Sequence, residues 1–155
     1  MAAPSGRPQA VLFACARNTV RSPMAAALYR HLFGRGAYVT SAGARKGEPD
    51  GFAAEVMDEL GLDISKHKAM TFEELEDWEG LNFDLIVTLS PEAHHKALEM
   101  TRALAVEVEY WPMPDATATE GSRSQRLDAY REVRDLLMAR IKERFARPST
   151  ATGNE

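Results

Sequence analysis

The stretch Val11-Leu12-Phe13-Ala14-Cys15-Ala16-Arg17-Asn18-Thr19-Val20-Arg21-Ser22-Pro23-Met24 decides how the chain is read. Its apolar opening ends at Cys15, the protein's single cysteine, and Arg21-Ser22-Pro23 then leads into a run of helix formers. A short apolar run of this kind predicts a strand buried on both faces, over Ala10–Ala14. The polar loop behind it is expected to enter a helix at Pro23, with Ser22 as N-cap and proline at the first helical position. Such a junction gathers backbone N–H groups and the positive end of a helix dipole around one point. That point suits a tetrahedral oxyanion, and nearby positive charge favours the thiolate of a cysteine. Cys15 is therefore expected as a nucleophile, although most lone cysteines are small buried hydrophobes. Arg21 is placed to grip two oxyanion oxygens with its planar fork. Asn18, in mid-loop, fits a left-handed backbone position. The Ser22 hydroxyl is read both as a cap and as a donor to the thiolate.

The remaining chain alternates strands and helices. The first helix carries Met24, Leu28 and Leu32 every fourth residue and stops at Gly34. A second strand is expected at Tyr38–Thr40, a second helix over Phe52–Leu60, and a capping box at Thr71-Phe72-Glu73-Glu74. The acidic run Glu73–Glu79 reads as a solvated helical turn. Phe83–Leu89 is a third strand, Ser90-Pro91-Glu92 opens another helix, Val106–Trp111 is a fourth strand, and the last helix spans about Ser124–Phe145. This order predicts one α/β domain: a four-stranded parallel sheet with helices on both faces, occupying residues 9–146. Residues 1–8 are expected as a flexible lead-in and 147–155 as a frayed tail. Ligands in such folds bind at the C-terminal ends of the strands, where Cys15 and Asp115 can meet.

Bulk properties narrow the function. The formal charge of −4 argues against a binder of nucleic acid that works by neutralising phosphates. Nothing approaches ~18 consecutive apolar residues, and Met1–Gln9 lacks the apolar core of a secretory signal, so neither membrane nor export is expected. One cysteine permits no internal disulfide and no Cys-rich zinc site, which fits a cytoplasmic protein with a reactive thiol. His94 and His95 have no third metal ligand nearby in sequence and are expected to face solvent. The phosphate loop Gly-x-x-x-x-Gly-Lys-Ser/Thr and the glycines of a dinucleotide site are both missing from the sequence.

Val11-Leu12-Phe13-x-Cys15-x-x-Asn18-x-x-Arg21-Ser22-Pro23-Met24-Ala25 resembles the active-site loop of the low-molecular-weight protein tyrosine phosphatases and of their relatives, the Cys-dependent arsenate reductases. The resemblance continues in order through Ser41-Ala42-Gly43, Gly61-Leu62-Asp63 to His67-x-Ala69, Phe83-Asp84-Leu85-Ile86-Val87 and Trp111-Pro112-Met113-Pro114-Asp115. It implies the flavodoxin-like fold of those phosphatases and a phosphomonoesterase without cofactor or metal, acting on a phosphorylated protein or a small phosphomonoester. Cys15 would attack phosphorus, while Arg21 and the loop amides of Ala16, Arg17, Asn18, Thr19, Val20, Arg21 and Ser22 hold the equatorial oxygens. Asp115 would serve as general acid and then base. Asn18, Ser22, Ser41 and His67 would keep the loop rigid, against the plainer reading of His67 as a surface histidine.

Several positions depart from that pattern. Ala116 stands where a proline commonly follows the acid, and the aromatic residues that usually come next are missing from Ala116-Thr117-Ala118-Thr119. Should Asp115 be misplaced, Glu120 or Asp128 would be fallback acids. Arg17 occupies a loop position that is usually small or apolar, Arg45 and Lys46 replace an aromatic wall, and Val20 replaces a second loop cysteine. These changes point to a substrate smaller or more anionic than phosphotyrosine. Two other functions fit the same loop: an arsenate reductase drawing on an external low-molecular-weight thiol, and a phosphate- or phosphoprotein-binding module without turnover.

Overall fold

A computed structural model describes residues 7–34 and 36–146. Four parallel strands, β1 (Ala10–Cys15), β2 (Tyr38–Gly43), β3 (Leu85–Thr88) and β4 (Glu107–Tyr110), form one sheet in the order β2-β1-β3-β4. The helices are α1 (Arg21–Phe33), α2 (Gly51–Asp58), α3 (Phe72–Glu79), α4 (Pro91–Met100) and α5 (Arg123–Phe145), with a 3₁₀ turn at Ala116–Ala118. This is the three-layer α/β architecture expected from the alternation of elements.

The apolar run of β1 is central because both of its faces are covered. Val11, Phe13 and Cys15 point into a core shared with Met24 and Leu28 of α1, Val56 and Met57 of α2, and Leu137 and Ile141 of α5. Leu12 and Ala14 point the other way, toward Phe72 and Leu75 of α3 and Ala93 and Ala97 of α4. The period of two along β1 thus feeds two separate cores. Edge strand β4 is the least buried and carries Glu107 and Glu109, charges that discourage pairing with another chain. Glu109 is held by Arg144, with Nη2 to Oε2 at 2.9 Å.

The chain leaves β1 for β2 on one side and later returns to β3 on the other, so β1 and β3 flank the point where strand order reverses. Their C-terminal ends make the crevice that positions the site. Local chemistry sets the helix starts around it. Ser90 caps α4 by accepting from Ala93 N at 3.1 Å, and Asp50 caps α2 by accepting from Phe52 N at 2.9 Å. The Thr71–Glu74 capping box forms as read, and Ser122–Gln125 forms a second one that opens α5.

Three readings need correction. Helix α1 begins at Arg21, not Pro23; its N-cap is Val20, and Ser22 makes no capping hydrogen bond. The loop winds straight into the helix, so Ser22 lies in the first turn with its hydroxyl turned inward, while Pro23 still forfeits only an N–H that a first turn leaves unpaired. Strand β2 runs on through Ser41-Ala42-Gly43, because those residues pair with Phe13-Ala14-Cys15 in register. His94 does not face solvent: its Nδ1 lies 2.9 Å from the Thr88 hydroxyl and its ring stacks on Tyr110 at 4.6 Å. The expected lead-in and tail lie outside the described residues except for Arg7 and Pro8, and Arg7 Nε donates to the Phe145 carbonyl at 2.8 Å.

Candidate active site

Cys15 closes β1 and is 2% exposed, so its thiol sits at the floor of the crevice. The loop after it curls over the sulfur. Asn18 N and Ser22 N both point at Sγ, at 3.3 and 3.4 Å, and the Ser22 hydroxyl lies 2.9 Å from it. Those groups surround the sulfur with donors, which stabilise negative charge on it. The amides of Ala16, Arg17, Thr19 and Val20 donate to no protein acceptor among the described residues. A loop with four free N–H groups at the start of a helix is built to receive an oxyanion.

Asn18 holds this loop in shape. It is fully buried and adopts φ 58°, the left-handed conformation that asparagine tolerates. Its Nδ2 donates to the hydroxyls of Ser22 at 2.8 Å and Ser41 at 2.9 Å, and its Oδ1 accepts from Met70 N at 2.9 Å. Because the Asn18 amide donates to the Ser22 oxygen, the Ser22 proton is left for the sulfur at 2.9 Å or the Ala42 carbonyl at 3.4 Å. The Asn18 carbonyl is 2.8 Å from His67 Nε2, which fixes the proton on that nitrogen of the neutral ring. Burial lowers the His67 pKa, and Arg30 adds to the fall, against the opposing bond to Asn18. His67 is thus a half-buried partner of the loop rather than a surface histidine.

The turn after β2 braces the other side. Ala44 N, Arg45 N and Gly47 N donate to the carbonyls of Cys15, Ala16 and Arg17 at 3.1, 2.9 and 3.1 Å. Gly43 must be glycine for this: a Cβ there would lie 2.8 Å from Asn18 N and 2.9 Å from the Arg17 carbonyl carbon.

Above Cys15 opens a cavity of about 380 Å³, lined by the loop, Ser90-Pro91-Glu92, Arg45, Asp115 and Thr117. Arg21 stands at its wall, with Nη1 held 3.2 Å from the Met113 carbonyl. Asp115 reaches the cavity from the segment after β4. Its Oδ1 accepts from Thr117 N at 3.0 Å and the Thr117 hydroxyl at 2.6 Å, and Ala116 beside it is buried as an anchor. Partial burial works to raise the Asp115 pKa, but the two Thr117 donors and the charges of Arg21 and Arg17 outweigh it and hold the carboxyl below its ordinary value.

Cys15, Ala16, Arg17, Thr19, Val20, Arg21 and Asp115 all line the cavity, whereas Asn18, Ser22, Ser41 and His67 lie behind it. Glu120 and Asp128 do not reach it, and Asp128 is spent on Arg131. The expected basic wall is mostly neutralised: Arg45 forms a two-pronged pair with Glu92 at 2.9 and 3.0 Å, and Lys46 pairs with Glu74 away from the cavity. No aromatic ring among the described residues lines the cavity. Thr117 and Met70 escaped the sequence reading. Asp115-x-Thr117 carried a legible signal, since an Asp accepting from the residue two positions on is a common turn. The Met70 amide carried none, as any residue supplies one. No group of three or more His, Cys, Asp or Glu able to hold a metal occurs among the described residues, and none of their helices is long and apolar enough to cross a membrane.

Comparison with known proteins bears on the same site. The family model described as low molecular weight phosphotyrosine protein phosphatase matches residues 10–147. The chain is 33% identical over 134 residues to an arsenate reductase of Shouchella clausii, spanning 86% of this chain and 92% of that protein. Among solved structures, an arsenate reductase of Archaeoglobus fulgidus is 28% identical with a TM-score of 0.68, covering 88% of this chain and 98% of that one. A tyrosine phosphatase of Erwinia amylovora, 18% identical, shares the fold with a TM-score of 0.71 over 96% of this chain and 95% of its own.

Proposed function

Because the chain belongs to the low molecular weight phosphotyrosine protein phosphatase family, we propose that it hydrolyses phosphomonoesters through a cysteinyl-phosphate intermediate. The observation that carries this reading is the meeting of Cys15, Arg21 and Asp115 around one cavity whose floor is a ring of free amides. The Cys15 thiolate attacks phosphorus in line, forming the S–P bond as the ester P–O bond breaks. Arg21 and the loop amides hold the three equatorial oxygens, where charge is spread in the transition state. Asp115 gives its proton to the leaving oxygen. Its lowered pKa suits an empty site, and the incoming phosphate dianion offsets Arg21 and Arg17 and favours the protonated acid. Asp115 then takes a proton from water as that water displaces the sulfur, releasing inorganic phosphate and restoring the thiolate. The substrate is a phosphorylated protein or a small phosphomonoester, and a free thiolate suits the reducing cytoplasm.

The test is phosphate release from p-nitrophenyl phosphate, alkyl phosphates and phosphopeptides. We expect turnover by the wild type, a phosphorylated cysteine after rapid acid quench, and loss of both in Cys15→Ser. Absence of phosphate release from every substrate sinks the reading.

A second reading, arsenate reduction, is favoured by curated relatives named arsenate reductase at 33% identity. With one cysteine in the sequence, the two electrons that take arsenate to arsenite would come from Cys15 and an external thiol, leaving a mixed disulfide at Cys15. Arsenate assayed beside the phosphate esters, with glutathione or mycothiol as reductant, separates the two.

A further inference from the structure

The charges around the cavity are not all committed. Arg45 is taken up by Glu92, so neither presents a net charge to a ligand. Asp115 is turned onto Thr117, and Arg21 stands at the wall against the Met113 carbonyl. Arg17 also lines the cavity, yet its exposed guanidinium makes no ion pair and no hydrogen bond among the described residues; its charge is felt at Asp115.

Its placement is nonetheless built. Gly47 N binds the Arg17 carbonyl at 3.1 Å, and Arg45 N binds the carbonyl before it at 2.9 Å. The backbone of Gly47 also packs on the arginine stem: a Cβ on Gly47 would lie 3.0 Å from Arg17 Cβ and 3.2 Å from Arg17 Cδ. Gly43 closes on the Arg17 carbonyl carbon from the other side, where a Cβ would come within 2.9 Å. The side chain therefore leaves a backbone that cannot drift, with its first carbons already packed. Part of the rotamer freedom that a long side chain loses on binding is lost beforehand. A guanidinium carried on this stem matches the paired oxygens of a carboxylate or a second phosphate. With no ring among the described residues of the cavity wall to stack on a substrate, charge is what remains to discriminate.

We propose that Arg17 makes the cavity selective for phosphomonoesters carrying a second anionic group close to the scissile phosphate. The proposal rests on the phosphomonoesterase reading and names its substrate class. The second anion can belong to an acidic residue beside a phosphorylated side chain or to a small molecule.

The test uses two matched pairs of substrates: a phosphotyrosine peptide flanked by aspartate against the same peptide flanked by asparagine, and carboxyphenyl phosphate against its uncharged carboxamide. We expect kcat/KM about tenfold higher for the acidic member of at least one pair, equivalent to about 1.4 kcal/mol. The ratio should shrink as salt is raised to about 1 M, where the screening length is a few ångströms. Preference in the peptide pair identifies a protein source, and preference in the aryl pair a small one. Arg17→Gln should bring the ratio near one and Arg17→Glu should invert it. A wild-type ratio near one in both pairs overturns the proposal, as does an acidic preference that survives Arg17→Gln. The wild-type ratio and its salt dependence decide the matter even if a variant fails to fold. If neither these pairs nor p-nitrophenyl phosphate nor the alkyl phosphates are hydrolysed, the phosphatase reading fails along with the proposal, whereas equal hydrolysis within each pair, or hydrolysis of the simple esters only, overturns the proposal alone.

Discussion

The nucleophile loop, residues 15–22, and the acid segment, residues 112–119, face each other across one cavity but are held in opposite ways. The loop is over-determined. Asn18 alone bonds two hydroxyls, one backbone amide and, through its carbonyl, His67, and the 43–47 turn braces residues 15–17 by three further bonds. The acid segment is exposed apart from buried Ala116 and half-buried Met113 and Thr119, and Asp115 is oriented by its neighbour Thr117. A group that must present donors to a fixed tetrahedron gains from rigidity, because the donors then need no reorganisation during the reaction. A group that first gives and then takes a proton needs its pKa tuned more than its position locked. On the proposed phosphatase reading, activation and anion binding would fall to the rigid side and leaving-group preference to the adjustable one.

The largest effect should come from the residue that spans both regions. Arg21 belongs to the loop, but its Nη1 reaches the Met113 carbonyl of the acid segment. Arg21→Lys keeps the charge and removes the planar fork, and we expect kcat/KM for p-nitrophenyl phosphate to fall by roughly 10²–10³. Asp115→Asn comes next. It should slow alkyl phosphates by about a hundredfold, whereas p-nitrophenyl phosphate, whose leaving group needs little protonation, should lose far less. Equal losses on both substrates would remove Asp115 from the proton-transfer role.

Asn18→Ala tests the rigid side by itself. It strands the hydroxyls of Ser22 and Ser41 and the amide of Met70, and leaves an alanine at φ 58°. We expect about 2–4 kcal/mol of lost stability by denaturant unfolding and roughly a tenfold fall in kcat. Nothing comparable is expected from Thr117→Val. That change removes a hydroxyl donor from Asp115, so the carboxyl pKa should move back up toward its ordinary value. Asp115 acts protonated, so the alkaline limb of the pH–rate profile should shift to higher pH, with a change of only a few-fold at neutral pH and unfolding unaltered.

The same contrast explains what was legible in the sequence. The loop could be read because its chemistry is local: an apolar strand, a cysteine, and an arginine and serine at fixed spacing determine one another within eight residues. The four parallel strands followed from the alternation of elements along the chain, whereas their order across the sheet, β2-β1-β3-β4, did not. What sequence missed depends on distant partners. Ser22 reads both as a cap and as a donor to the thiolate; the cap does not form, the contact with Cys15 Sγ does, and the Asn18 partner, reached through the curl of the loop, is the one that sequence misses. His94 was placed in solvent because nothing near it in sequence shows that Thr88 and Tyr110 lie against it. Arg45 looked like a bare positive wall until α4 delivered Glu92 to it. The substitution of Ala116 for proline left the position of Asp115 open; the buried Ala116 methyl and the Thr117 turn set it at the wall of the cavity.

His67 gives the smallest predicted effect and the sharpest way to separate the two regions. Burial holds its pKa below the ordinary histidine value, so the folded protein binds a proton there less readily than the unfolded chain does. Stability tied to this group is therefore complete above the unfolded value of about 6.5 and is lost as pH falls toward the folded value. His67→Gln removes the titration while leaving an amide able to donate to the Asn18 carbonyl. Unfolding measured from pH 7.5 to pH 5 should show a steeper loss for the wild type than for the variant. In the same window, kcat should follow the same pH course in both proteins, since the added proton goes to Nδ1 and leaves the Nε2–H bond to the Asn18 carbonyl in place. Identical unfolding slopes for both proteins would mean that burial does not hold His67 neutral behind the loop, and the rigid side of the comparison would lose its link to the middle of the chain.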